Sequence, residues 1–318
     1  MKLDIFGRLA LASLLAVTAP ALACDVCAIY TAANQRTEHN GFLLGVGEQY
    51  THFGTLSESG SEVPNTAHQY LDSAVTQLFA GYNFTSRFGV QVTLPVISRT
   101  FRRPENGRNE SGRLGGIGDL SLTGHFVPFD FATERSVFRL TLLGGVKFPT
   151  GDPDRIKEEL SESPSTGGVQ SGIHGHDLAL GSGSYDGLVG GSLFWSRDRF
   201  FVTAAGQYSI RSRGAFDYRY ANDLSWLGGP GYYVLLEHGY SLALQVVLSG
   251  ESKGKDDLAG VPADDTGVTA LYVGPACSVT WGGRLSADIG VDVPVLQHNT
   301  SLQLLPDVRV RGGITWSF

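Results

Sequence analysis

The sequence has few charged residues, a single methionine and, after its N-terminal leader, no apolar run long enough to span a bilayer as a helix. Charged residues make up 17% of the 318 residues, whereas soluble domains usually carry about 25%. One Met and 42 Gly argue against a helical protein. The formal net charge of −7 gives no reason to expect nucleic acid as a partner. What remains is a secreted chain rich in β structure.

Cysteine is also scarce, and two of the three cysteines follow a secretion leader. Positive charge near the start precedes a short apolar run over residues 9–17. Ala21, Leu22 and Ala23 then form a small-x-small cleavage site. We therefore expect residues 1–23 to be a cleaved signal peptide and the mature chain to begin at Cys24 in an oxidising compartment.

The last eleven residues, VRVRGGITWSF, alternate between apolar and polar side chains. Val308, Val310, Ile314, Trp316 and Phe318 share one parity, with arginine, threonine and serine on the other. A strand sends successive side chains to opposite faces, so this segment has an apolar face and a polar face. The terminal Phe318 resembles the C-terminal signature of bacterial outer-membrane barrels, which implies the barrel-assembly machinery as a partner.

The same two-residue period recurs along the chain and predicts about twelve strands, an even number as in bacterial barrels. Short turns alternate with long polar loops at 54–68, 102–114, 150–176 and 252–266. Aromatic residues gather near strand ends, as in interfacial girdles: Phe84, Phe101, Phe129, Trp195, Phe200, Trp281 and Trp316. We predict an all-β transmembrane antiparallel β-barrel over residues 41–318, with short periplasmic turns, long extracellular loops, and residues 24–40 as a periplasmic N-terminal segment.

Three glycine-rich motifs add a family resemblance. Residues 115–126 read GGIGDLSLTGHF, residues 144–152 read GGVKFPTGD, and Gly-Ser-Gly-Ser-x-Asp spans 181–186. In this order they resemble the outer-membrane barrel transporters labelled as putative MetA-pathway proteins of phenol degradation. The resemblance implies an outer-membrane barrel that passes small organic molecules. Physically, the motifs also suit strand ends and turns, because Pro cannot donate to the ladder and Gly permits close backbone approach.

The polar positions that alternate with apolar ones along each strand supply the candidate lumen residues. We expect these charged side chains to line the lumen and act in transport: Glu48, Asp119, Arg139, Lys147, Arg211, Glu251, Asp288, Asp292, Arg309 and Arg311. Asp288 and Asp292 are expected to pair with Arg309 and Arg311 on the neighbouring strand. Two interpretations stay open: a salt-bridged plug that fills a narrow interior, or a polar pore whose charges steer solutes.

Other chemistry has weaker support. Cys24 and Cys27 form Cys-x-x-Cys without the following His of a haem site, which suggests a disulfide or a contact with a redox partner. His174, His176 and Asp177 could hold a metal, although a solvated glycine-rich loop is the commoner outcome. No motif for a catalytic serine or a nucleotide appears, so we expect neither an enzyme nor a cofactor.

Two functions follow from these features. The first is a porin-like transporter that passes small, aromatic or apolar solutes through the lumen, with membrane lipid and the solute as partners. The second is a non-conducting barrel that scaffolds a periplasmic partner through Cys24 and Cys27. Residues 1–23 would direct export of either protein, and the barrel would place it in the cell outer membrane.

Overall fold

The computed structural model describes residues 40–105, 108–160 and 169–318. Twelve long strands run antiparallel to their neighbours, and the last pairs with the first, which closes the sheet into a barrel. This confirms the predicted transmembrane β-barrel. The barrel strands are β1 (Gly41–Glu58), β2 (Tyr70–Thr85), β3 (Phe88–Glu105), β4 (Ser121–Ala132), β5 (Ser136–Lys147), β6 (Asp186–Arg197), β7 (Phe200–Ile210), β8 (Asp223–Glu237), β9 (Tyr240–Lys253), β10 (Val268–Trp281), β11 (Leu285–Asn299) and β12 (Leu302–Ser317).

The alternating sequence becomes an apolar outer belt and a largely polar inner face. On β1, Phe42 and Leu44 are 62% and 49% exposed, whereas Leu43 between them is 3% exposed. On β12, Ile314 and Trp316 point outward, and Thr315 between them is turned inward. Because exposed apolar side chains form a continuous band only on the outside, the barrel presents this face to lipid.

Short turns join the strands at the periplasmic end, at 86–87, 133–135, 198–199, 238–239 and 282–284. Long connections at the other end cover 59–69, 106–120, 148–185, 211–222 and 254–267, and one tight turn there covers 300–301. Three loops begin later than predicted, because β1, β3 and β9 continue beyond the apolar belt. Backbone pairing needs no apolar side chain, and Arg108–Ile117 even returns along the outer half of β3 as an additional strand.

The seam between β11 and β12 is paired over only part of its length. Their ladder runs from the Leu285–Trp316 pair to the Asp292–Arg309 pair. Beyond it, β11 remains paired with β10 and β12 with β1. The Gln297 side-chain amide crosses the seam and donates to the carbonyl of Pro306 at 2.7 Å. The outer half of this seam therefore lacks a strand ladder.

The described parts of the connection 148–185, which are residues 148–160 and 169–185, fold into the outer mouth of the barrel. Gly172 donates its backbone N–H to the Gln69 side chain at 2.8 Å, and its carbonyl accepts from the Leu304 N–H at 2.8 Å. Apolar side chains from this connection and the wall form one buried cluster: Leu56, Leu71, Phe101, Ile173, Leu178 and Leu304. The described helices are short, and none combines the length and apolarity needed to cross a membrane.

Candidate functional site

Nine of the ten charged residues predicted for the lumen lie on the inner side of the wall. They are Asp119, Arg139, Lys147, Arg211, Glu251, Asp288, Asp292, Arg309 and Arg311. Each stands on the parity opposite to the apolar belt, or just beyond the end of a strand. Their placement follows from the two-residue period of the strands. Their role in transport stays a prediction.

Glu48 is the exception, and its predicted lumen position is wrong. It shares its parity with Phe42, Leu44 and Val46, which face outward. The residues opposite it, Thr76 and Gly312, are also on the outer face, and the Thr76 hydroxyl donates to its carboxylate at 2.5 Å. Side chains directly opposite each other in a ladder point the same way, so Glu48 faces the membrane.

Lys147 is the centre of a buried charge network. Its ammonium lies 2.6 Å from Asp119 Oδ2 and 2.8 Å from Asp186 Oδ2. Arg211 continues the network, binding Asp186 at 2.9 Å and Asp223 at 2.7 Å. All five side chains are at most 6% exposed. Charges buried this deeply are tolerated when each has partners of opposite sign.

The three glycine-rich motifs meet at this network. One Asp119 oxygen accepts from the Gly151 N–H at 2.9 Å, and the other accepts from the Ser182 N–H at 2.9 Å. Gly151 and Gly181 come so close that a Cβ on Gly181 would lie 2.5 Å from the Gly151 carbonyl carbon. The motifs therefore anchor the two ends of the inward connection 148–185 to the wall.

A second charged layer lies on β9 to β12. Arg309 binds both oxygens of Glu251 at 3.0 Å and stacks over the Tyr272 ring at 4.4 Å. Arg311 binds Asp292 in a bidentate pair at 2.7 and 3.0 Å. The expected pairing of β11 carboxylates with β12 arginines is thus found for Arg311. Arg309 instead binds Glu251, which lies on β9, three strands away. Glu251 also accepts from the Tyr272 hydroxyl at 2.6 Å.

Sequence analysis missed two essential partners in these layers. Asp186 ends one of the glycine-rich motifs, and Asp223 begins β8; neither was assigned to the lumen. The signal that could have found Asp186 is its strand parity. Lys147 and Asp186 are direct register neighbours on β5 and β6, so their side chains point to the same face. That signal becomes usable only when the register between the two strands is known.

Below these layers the lumen is open. A cavity of about 770 Å³ extends from the periplasmic turns up to Asp223, Glu251 and Arg309. Hydroxyl-bearing and charged side chains line much of it, including Thr141, Ser225, Ser249, Asp288 and Arg284. The outer half of the barrel is filled by the inward connection. The sequence left open a salt-bridged plug or a polar pore. The interior has features of both, with a plugged outer half and an open periplasmic half.

His174, His176 and Asp177 lie together in the inward connection. The His174 and His176 rings stack with centroids 5.7 Å apart, and His176 contacts Glu159 at 2.8 Å and Asp177 at 3.3 Å. Burial lowers the pKa of His176, but the two carboxylates outweigh it and raise that pKa well above the ordinary range. Within the described ranges, no group of three or more His, Cys, Asp or Glu is arranged to hold a metal.

One aromatic residue differs from the expected girdle, and one cysteine lies on the barrel wall. Phe101 does not belong to the outer girdle; it is fully buried in the cluster under the inward connection. The odd residues of the outer half of β3 point inward, and Phe101 is one of them. Cys277 lies on the outward parity of β10 as a free cysteine. Cys24 and Cys27 lie outside the described residues.

Comparisons with known proteins agree with the architecture. No family model matches the sequence, and no curated protein matches it. The fold is similar to that of an outer membrane channel from Pseudomonas putida F1, with a TM-score of 0.59, 14% identity, and coverage of 90% of this chain and 98% of that one. The transport unit of the autotransporter AIDA-I from Escherichia coli aligns over 90% of this chain and 92% of that one, with 8% identity and a TM-score of 0.44, too low to support an argument. The fold and the apolar belt together identify the chain as an outer-membrane β-barrel protein.

Proposed function

We propose that this barrel is a passive channel for small organic solutes, aromatic or apolar, that cross through the lumen. The cavity of about 770 Å³ above the periplasmic turns carries this proposal. Its volume lies in the range of small-molecule sites, about 300–1,000 Å³. Its lining offers hydroxyl groups and paired charges that can exchange hydrogen bonds with a passing solute.

Two likenesses support transport as the activity. The three motifs resemble a family labelled for phenol degradation, and the solved barrel from Pseudomonas putida F1 is described as an outer membrane channel. Asp119 and Lys147 hold the inward connection, whereas Arg139, Asp288 and Arg311 face the cavity. In this proposal the first pair positions the plug and the second group steers solutes.

Passage requires the inward connection to move. Its two ends are fixed by the Asp119 network, and Ile173 and Leu178 are held in the apolar cluster around Phe101. A channel with this architecture alternates between the plugged arrangement and one in which the outer half is cleared. The periplasmic half needs no rearrangement, because its cavity already reaches the turns.

Liposome swelling tests the proposal with a pair of variants matched by strand parity. Ser286 points into the cavity, whereas Ile289 on the same strand points to lipid and is 58% exposed. We expect proteoliposomes of the wild-type protein to swell in arabinose, Ser286→Trp to swell at least several-fold more slowly, and Ile289→Trp to match the wild type. Absence of swelling by a folded, heat-modifiable wild-type barrel would count against a channel.

A further inference from the structure

An aromatic patch stands on the inner face of the periplasmic half, where a barrel interior is normally polar. Phe194 on β6, Phe201 on β7 and Tyr233 on β8 form it. The Phe194 and Phe201 centroids are 6.1 Å apart, and those of Phe201 and Tyr233 are 4.8 Å apart. Phe201 is 1% exposed, while Phe194 and Tyr233 are partly exposed and line the cavity.

The backbone opposite the patch is shaped to hold it. The Phe201 ring covers Gly231, where an added Cβ would lie 2.1 Å from the ring. Any side chain there would displace Phe201 and, with it, the two rings that it contacts. A buried ring that supports two half-exposed rings forms a rigid apolar wall rather than a loose collection of side chains.

One polar donor adjoins this wall. Arg139 is the direct register neighbour of Phe194 on the inner face. One arm of its guanidinium binds Asp130 at 2.8 Å, and Arg139 also lines the cavity beside Phe194. A guanidinium carries five N–H donors, so a single carboxylate leaves others that can bind an acceptor in the cavity.

We propose that Phe194, Tyr233 and Arg139 form a binding site for a neutral aromatic molecule that carries one oxygen-bearing group. The ring packs on the Phe194 and Tyr233 side chains, and the oxygen accepts a hydrogen bond from the Arg139 guanidinium. The site favours a neutral group over an anion. Asp130 already neutralises the Arg139 guanidinium, so a bound carboxylate would lose its hydration and find no unpaired positive charge in return. This site rests on the proposed channel function, since it would select solutes within the lumen.

Fluorine NMR of the protein in lipid nanodiscs tests the site, with 4-fluorobenzyl alcohol as the probe. Tyr233 points inward and Tyr232 outward, with 53% of Tyr232 exposed. We expect Tyr233→Ala to weaken binding about threefold or more, in line with the energy of an aromatic pair, and Tyr232→Ala to leave it unchanged. If Tyr233→Ala does not fold, Phe194→Leu, with outward Trp195→Leu as its control, takes its place.

The chemistry of the head group is tested by a second comparison. Arg139→Met removes the guanidinium donors from the cavity, so the preference for 4-fluorobenzyl alcohol over 4-fluorotoluene should disappear. The wild-type protein should bind 4-fluorobenzoate more weakly than the alcohol. Equal or tighter binding of benzoate, or unchanged alcohol binding in both the Tyr233 and Phe194 variants, would overturn the site.

These outcomes are separable from those of the channel proposal. NMR binding needs no flux, and arabinose swelling needs no aromatic site. Swelling without any effect of the Tyr233 variant on binding overturns the aromatic site and leaves the channel. Binding that depends on Tyr233 in a barrel that never swells overturns the channel, and with it the role of this site in solute selection.

Discussion

Lys147 lies between Asp119 and Asp186, and the three side chains are at most 6% exposed. An isolated charge at such a position would be expelled or neutralised, because burial removes its hydration. Here each charge has partners of opposite sign and further hydrogen bonds from Ser182 and Ser184. The network therefore depends on its members, and removal of one leaves its immediate partners buried with less compensation.

Replacement of Lys147 by Met measures this dependence. The variant leaves two buried carboxylates facing each other, so we expect a loss of about 3–5 kcal/mol in the free energy of unfolding. Lys157→Met is the control, because Lys157 and its partner Asp154 are 51% and 65% exposed and such surface pairs contribute about 1 kcal/mol or less. Guanidinium unfolding of both variants in detergent gives the comparison. A similar small loss in both would show that the network is not important for stability.

At the scale of elements, the seam between β11 and β12 differs from its neighbours. The β12–β1 ladder reaches from Leu43–Ser317 to Glu58–Leu302, whereas the β11–β12 ladder stops at Asp292–Arg309. Pro294 and Pro306 lie in the unpaired outer half and have no N–H to donate. The sequence at this seam is therefore consistent with its incomplete pairing.

Hydrogen exchange should detect the open half of the seam. Backbone N–H groups that lack a ladder partner exchange through smaller local openings. We expect peptides from 293–298 to exchange faster than peptides from 285–292 of the same strand, measured by mass spectrometry on the protein in nanodiscs. Residues 43–50 of β1, which are paired on both sides, are the slow reference. Equal protection of the two halves of β11 would contradict the interrupted ladder.

At the scale of the whole molecule, the barrel is a stiff wall around a segment held by electrostatic and apolar contacts. The Arg99 guanidinium reaches from β3 to the carbonyls of Asp177 and Ala179 in the inward connection. His176 is buried beside these contacts, against Glu159, Asp177 and the Tyr218 ring, with His174 and Asp265 nearby. The charge of His176 therefore affects how firmly the plug is held.

The sign of the pH dependence follows from the shifted pKa values. The pKa of His176 is raised, so its stabilising contribution is complete below about pH 6.5 and is lost as pH rises through the raised value. Burial alone would raise the pKa of Asp177, but the two histidines lower it, so its contribution is complete above about pH 4 and is lost in stronger acid. The plug should be held most firmly between these limits.

Limited proteolysis measures this effect. Trypsin cleavage after Lys157, relative to cleavage after Lys255 in a different loop, should increase between pH 6.5 and pH 10 in the wild-type protein. His176→Gln keeps a polar side chain but cannot titrate, so its cleavage ratio should be high and constant over this range. A wild-type ratio that does not change with pH would show that His176 does not hold the connection.

Much of the architecture could be predicted because it follows from local alternation. The parity of Val308–Phe318 and the turn residues are readable one segment at a time. Parity also placed Arg139 and Asp292 inside, and it should have placed Glu48 outside with Val46. Phe101 shows the limit of composition, because an aromatic residue near a strand end suits either a girdle or a core.

The sequence by itself determined the two faces of each strand, since side-chain direction in a strand has a period of two residues. Only the tertiary structure decided which charges meet, because Arg309 reaches Glu251 from β12 to β9 and Asp186 reaches Lys147 through the register of β5 and β6. It also decided that the described residues 148–160 and 169–185 fold inward. Contacts between residues far apart in the chain depend on closure and register, and no local pattern encodes either.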